Sequence, residues 1–196
     1  SRIFLGVRLE CAKCHHHPNE KWSQDDYYQM AAFFGSMKRK GQGISAPISG
    51  EPEYWWFQPG GEVKHPVSGE IMLCKAPDGP VGKIPENIDP RKALLEWMLA
   101  PENPFFAQAV TNRIWAEFLG FGIVHPVDDF RASNPPSNDP LLEWLAKDFI
   151  DHDYDIKHLM RRILNSRVYQ ASSIPNETNA RDERNYARSL RRRYPA

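Results

Sequence analysis

Cys11 and Cys14 lie in the run Cys11-Ala12-Lys13-Cys14-His15, a Cys-x-x-Cys-His spacing. Two thiols placed this way can bond the two vinyl groups on one edge of a porphyrin. The histidine directly after the second cysteine can then bind the iron axially. The same residues admit other chemistry. A Cys-x-x-Cys pair is also a redox dithiol, although no thioredoxin-like strand–turn–helix pattern surrounds it. Cys11 and Cys14 with two of His15, His16 and His17 make a four-donor zinc set. That set lacks a second Cys-x-x-Cys or a downstream histidine pair at finger spacing. A pair of buried cysteines without a cofactor is the plain alternative. The residues alone leave these readings open.

An iron held by His15 has a second axial position. A methionine or histidine there makes an electron carrier; an open position admits small ligands. His65, in a turn-rich stretch before Pro66, is the candidate second metal ligand beside His15, although as a lone histidine it reads more readily as a surface or hydrogen-bonded residue. Met30 lies on an apolar helix face, where methionine is more often packing. His125 also precedes a proline and reads as a surface or hydrogen-bonded residue. Asp128, Asp129 and Arg131 fall near Asn112 and Arg113 in the expected packing, and an arginine–carboxylate network pinning loops to helices is the favoured reading. The sharper alternatives are a pocket for a sugar or carboxylate, or glycosidase-like paired acids. Arg181, Arg184, Arg188, Arg191, Arg192 and Arg193 form a basic face suited to acidic groups, whether of a partner or of haem propionates. The aromatic run Tyr54-Trp55-Trp56-Phe57 is core or an interface, and Cys74 is expected to be a buried free thiol.

The elements that position these residues are mainly helical. Ile3, Val7, Cys11 and Cys14 share one face of an expected first helix, which His15-His16-His17-Pro18 ends. A second helix begins at Ser23, with Asp25 and Asp26 in its first turn and Tyr27, Met30, Ala31 and Phe34 as its stripe. Residues 38–88 lose helical period. Short strands are expected at 53–58, 62–65 and 70–74, with turns at Pro59-Gly60-Gly61 and Val67-Ser68-Gly69. Asp89 and Pro90 open a helix carrying Leu94, Leu95, Trp97 and Met98. Further helices follow at 103–119, around Leu141–Phe149, around Ile156–Ile163, and from Ala180 onward. The fold class is therefore mainly α, with an irregular insert containing minor β structure. The domains are read as 1–45, a haem-attachment segment; 46–88, the insert; and 89–196, a helical C-terminal domain.

The 196 residues suffice for a proper core, and 25 basic residues balance 25 acidic ones. Nothing in the charge calls for nucleic acid, and no apolar run is long enough to span a bilayer. The 17 prolines imply ordered loops between short elements. Three cysteines, with one close pair, do not make a disulfide framework. The chain starts at Ser1 in a periodic segment and stops just after a helical pattern, so it reads as a window on a longer protein.

Two sets of runs carry a family resemblance. Phe4-Leu5-Gly6-Val7, Cys11 through Pro18, Lys21-Trp22-Ser23-Gln24-Asp25-Asp26-Tyr27-Tyr28 and Ala31-Ala32-Phe33-Phe34 resemble the end of the planctomycete-type cytochrome domain of unknown function. Asp89-Pro90-Arg91, Asn103 through Ala107, Asn112-Arg113-Ile114-Trp115, Asp128 through Arg131, Asn134-Pro135-Pro136-Ser137, and Leu159 through Gln170 resemble the helical domain that follows it. The resemblance covers nearly the whole chain. It implies large exported proteins, often with a further cytochrome domain, and makes Cys11, Cys14 and His15 the expected haem site. It supplies no activity. Two positions depart from the pattern: His16 stands where a polar residue such as Asp is usual, and Met30 where Leu is common. The favoured expectation is a c-type cytochrome module with one covalent haem and its iron, transferring electrons in the periplasm or outside the cell. Its expected partners are other cytochrome domains, redox proteins or the preceding part of the same protein. A haem-assisted enzyme acting on polysaccharide, and an interaction domain stapled by zinc or haem, are the alternatives.

Overall fold

The computed structural model describes residues 1–18, 20–40, 53–182 and 184–190. Among them the chain forms six α-helices, one 3-10 helix and two small antiparallel two-stranded sheets. It divides into two compact units: residues 1–8 with 101–196, and residues 9–100. Part of the expected insert, residues 46–52, lies outside the described residues, as do Arg191, Arg192 and Arg193.

The first unit contains α1 (Arg2–Leu5), α4 (Phe106–Leu119), α5 (Asp139–Asp151) and α6 (Ile156–Leu164). Its core gathers Trp115, Ile123, Val124, Leu142, Leu145, Phe149, Leu159 and Ile163. The three longer helices start where an acceptor side chain meets otherwise unpaired amides. Asn103 accepts from Phe105 and Phe106, Asn138 from Leu141, and Asp155 from Lys157 and His158. Gly120, at φ 93°, ends α4 in a left-handed turn. Asn112, fully buried, closes the next loop: its side chain donates to the Val124 carbonyl at 2.8 Å and accepts the Val124 amide at 2.9 Å.

The second unit contains the 3-10 helix (Glu10–Lys13), α2 (Gln24–Ala32), β1 (Met37–Lys40), β2 (Tyr54–Phe57), β3 (Cys74–Lys75), β4 (Val81–Gly82) and α3 (Pro90–Leu99). β1 and β2 pair with Met37 opposite Phe57 and Lys40 opposite Tyr54. β3 pairs with β4, and Lys64 bridges Ile71 across the turn at 66–68. Ser23 and Asp26 form a reciprocal capping box at the start of α2. Asp89 caps α3, and Pro90 occupies its first position.

Two expected helices are corrected. The opening helix stops at Leu5, because Gly6 turns left-handed at φ 66°. A side chain at Gly6 would collide with the Phe130 ring, so the position demands glycine. Burial then falls on Leu5, Val7 and Leu9, while Ile3 is exposed, which is the period of extended chain. No helix forms over the described residues after Ala180. There the Asp182 carboxylate takes the amides of Arg184, Asn185 and Ala187, which competes with helical pairing.

Candidate functional site

The Cys-x-x-Cys-His run is held from below and open above. Ala12, inside the 3-10 helix, is fully buried and anchors the segment. Cys11 on that helix and Cys14 at its end are exposed free thiols. α2 grips the run at one atom: the Lys13 carbonyl accepts from the Gln24 amide side chain at 2.9 Å and from the Tyr28 hydroxyl at 3.3 Å.

The three histidines that follow do different things. His15 is exposed, and its Nδ1 lies 2.6 Å from the His16 carbonyl. A carbonyl oxygen only accepts, so Nδ1 carries the proton and Nε2 keeps its lone pair. That is the tautomer an axial imidazole needs, with its other nitrogen tied to a backbone acceptor. The Nδ1 of His16 instead accepts the Gln24 backbone amide at 3.2 Å, one of the orphan donors of α2. His16 therefore serves the helix start. His17 closes its own loop through its amide, which donates to the Trp22 carbonyl at 2.8 Å.

His65 lies in the same unit. Its ring meets Tyr28 edge-on at 5.8 Å, so Tyr28 touches both the Cys-x-x-Cys loop and His65. Its Nδ1 accepts the amides of Val67 and Ser68 at 3.3 and 3.2 Å, and its Nε2 lies 3.5 Å from the Asp25 carboxylate. Met30 is buried, as packing demands.

Donor geometry weighs on the choice of group. Among the described residues, the histidines, cysteines and carboxylates close enough together for one ion are Asp148, His152 and His158. Cys11, Cys14 and the three following histidines are not gathered in this way. A four-donor zinc site needs such convergence; c-type haem attachment does not, because each thiol would bond a separate vinyl carbon and, within this run, one histidine alone would meet the iron. The residues present fit a c-type haem.

The Asp148 cluster has little signal in the sequence beyond Asp148 and His152 standing one helical turn apart. His158 comes from α6, across a loop. The carboxylate of Asp148 accepts from His158 Nε2 at 2.7 Å and from Arg162 at 3.1 Å. His152 gives its Nδ1 proton to the Asp148 carbonyl at 2.8 Å and stacks on His158 at 3.6 Å. Burial raises the Asp148 pKa, but the Arg162 and His158 hydrogen bonds outweigh it and hold the carboxyl below its usual range. With a guanidinium already on the acid, the group works as a clamp between α5 and α6.

The acidic loop does similar work. Asp128 accepts from Arg8 at 2.5 Å and also pairs with Arg2; buried Asp129 pairs with Arg8 at 3.7 Å and Arg131 at 3.3 Å. An arginine–carboxylate network is present, with Arg2, Arg8 and Arg131 as its cations; Arg2 in α1 and Arg8 after it tie the opening segment to the loop, while Asn112, expected nearby, bonds Val124 instead. Tyr54 and Trp55 are exposed on β2, and Arg39 lies over the Trp55 ring at 5.7 Å. Cys74 is half-buried, and burial pushes its thiol pKa up. No helix among the described residues is long and apolar enough to cross a membrane.

No curated protein and no solved structure matches the chain. Two family models do. One, PSCyt2, protein of unknown function (DUF1549), matches residues 1–39, which contain the thiols and His15. It marks a planctomycete-type, cytochrome-associated domain at the start of the chain. The other, protein of unknown function (DUF1553), covers the remaining helices and the core they enclose, and by this match over residues 90–196 the chain belongs to the PSD1 family.

Proposed function

We propose that the chain carries one covalent c-type haem on Cys11 and Cys14, with His15 as axial ligand, and passes electrons outside the cytoplasm. The observation that carries this reading is the pairing of two exposed free thiols with a His15 whose Nδ1 is tied to a carbonyl, leaving Nε2 for iron. The match of residues 1–39 to a cytochrome-associated family supports it. When bound, the haem supplies one-electron redox chemistry.

The protein's own contribution is positioning. Gln24 and Tyr28 fix the Lys13 carbonyl between the two thiols. The His16 carbonyl orients the His15 ring. His65 is the proposed second ligand. Two amides at its Nδ1 force its proton onto Nε2, and that proton must leave for Nε2 to ligate. The proton would have to move to Nδ1, which requires the Val67 and Ser68 amides to release that nitrogen. His65 is accordingly the weaker ligand of the two. Location outside the cytoplasm follows from the chemistry, since bacteria attach haem after translocation.

The test is expression with a bacterial haem-attachment system, followed by a haem stain on a denaturing gel. Stain on the parent chain and none on the Cys11→Ala/Cys14→Ala double variant supports the reading. An unstained parent chain overturns it.

A further inference from the structure

A cleft of about 990 Å³ opens within the unit made of residues 1–8 and 101–196, and the haem reading makes no use of it. Its volume is that of a small-molecule site. Its described lining carries Arg184, Arg188 and His125, and no aspartate or glutamate. Apolar surface comes from Phe121, Pro135 and Leu190.

The walls are fixed before any ligand arrives. Phe121 stacks on Tyr186 at 4.6 Å and 9°, and the Tyr186 hydroxyl donates to the Phe121 carbonyl at 3.3 Å. Tyr186 in turn meets buried Trp115 edge-on at 5.2 Å. Ser137 ties its loop to the Ile123 carbonyl through both its amide and its hydroxyl, at 2.8 and 3.0 Å. Arg188 donates to the carbonyls of Asn179 and Ala180, so its charge is held in place. Arg184 sits on the loop that Asp182 organises by accepting three backbone amides.

A concave, preformed site with two guanidiniums and no described counter-acid selects against cations and for oxyanions, which Arg binds through paired N–H groups. The stacked aromatic and proline wall selects a flat or ring-shaped body beside that anion. We propose that this cleft binds a small organic oxyanion, an acidic group on a ring, with Arg184 and Arg188 holding the charge and Phe121 and Pro135 packing the ring. The proposal requires nothing of Cys11, Cys14 or His15, so it stands or falls separately from the haem.

Calorimetric titration of the full chain with 2-naphthoate, naphthalene-2-sulfonate and neutral 2-naphthamide tests it. At least one of the two anions binds, and the amide binds about tenfold or more weakly, the difference a charge-assisted contact makes. Which anion binds better says whether the cleft suits a carboxylate or a sulfonate. Arg184→Gln, at an exposed side chain, weakens the anion by about tenfold and leaves the melting temperature unchanged. Arg181→Gln, outside the cleft, changes neither. Equal binding of amide and anion, no binding of either anion, or an Arg184→Gln variant that binds as the parent does would each overturn the proposal.

Discussion

Cys11 and Cys14 have separable parts in the proposed attachment. Each alanine variant keeps one thioether, so the haem stays bound through a denaturing gel while its α-band in alkaline pyridine shifts, because one vinyl group remains unsaturated. The double variant loses the stain. His65→Ala keeps the covalent haem and opens the sixth position, so added imidazole or cyanide binds more tightly than to the parent, as optical titration reads. Unchanged ligand affinity would remove His65 from the coordination sphere. The attachment motif was legible because the covalent chemistry dictates both residue type and spacing. The division of labour among His15, His16 and His17 was not legible. It depends on which ring nitrogen faces a carbonyl and which faces an amide, and that is set by the start of α2.

At the level of helices and loops, the strongest sequence signals are those with a local mechanism. Ser23 and Asp26 were readable as a helix start, and Asp89-Pro90 as another, because caps act within one turn. Ser23→Ala removes an acceptor and costs about 1 kcal/mol, read as a lowered urea midpoint. The helical pattern fails at Gly6 and at Asp182, where a distant ring or a side-chain acceptor overrides it. Phe130, far along the chain, sets the conformation at Gly6. Asn112 is the nonlocal counterpart: Asn112→Ala strands both the amide and the carbonyl of Val124 in the core. The expected loss is about 2–4 kcal/mol, measured by chemical denaturation, against less than about 0.5 kcal/mol for an exposed control such as Arg113→Ala.

The chain as a whole has a net charge of zero, yet acid weakens its units through particular carboxylates. For Asp26, Asp128 and Asp148, burial raises the pKa, but hydrogen bonds from Ser23 and Lys75, from Arg8 and Arg2, and from Arg162 and His158 outweigh it. Each therefore binds its proton more weakly when folded than when unfolded. Their stabilisation is complete above the ordinary carboxylate range, about pH 4, and is lost as pH falls through the lower folded values. Urea midpoints measured from pH 6 downward should drop below about pH 4, and Asp148→Asn should flatten that drop. Equal slopes for variant and parent would show that the clamp between α5 and α6 does not contribute. The mainly helical class was legible from hydrophobic period. The grouping of residues 1–8 with 101–196 was not, since it rests on α1 packing against α4 and on Arg2 and Arg8 reaching Asp128.

The central claim concerns the bond between this chain and its cofactor. The most direct measurement is a visible spectrum of the purified protein, oxidised and reduced, taken again after denaturing extraction with acidified organic solvent. A Soret band that remains with the polypeptide, with a sharp α-band on reduction, is the predicted result. A colourless protein that contains zinc, or a Soret band that leaves with the solvent, would contradict it.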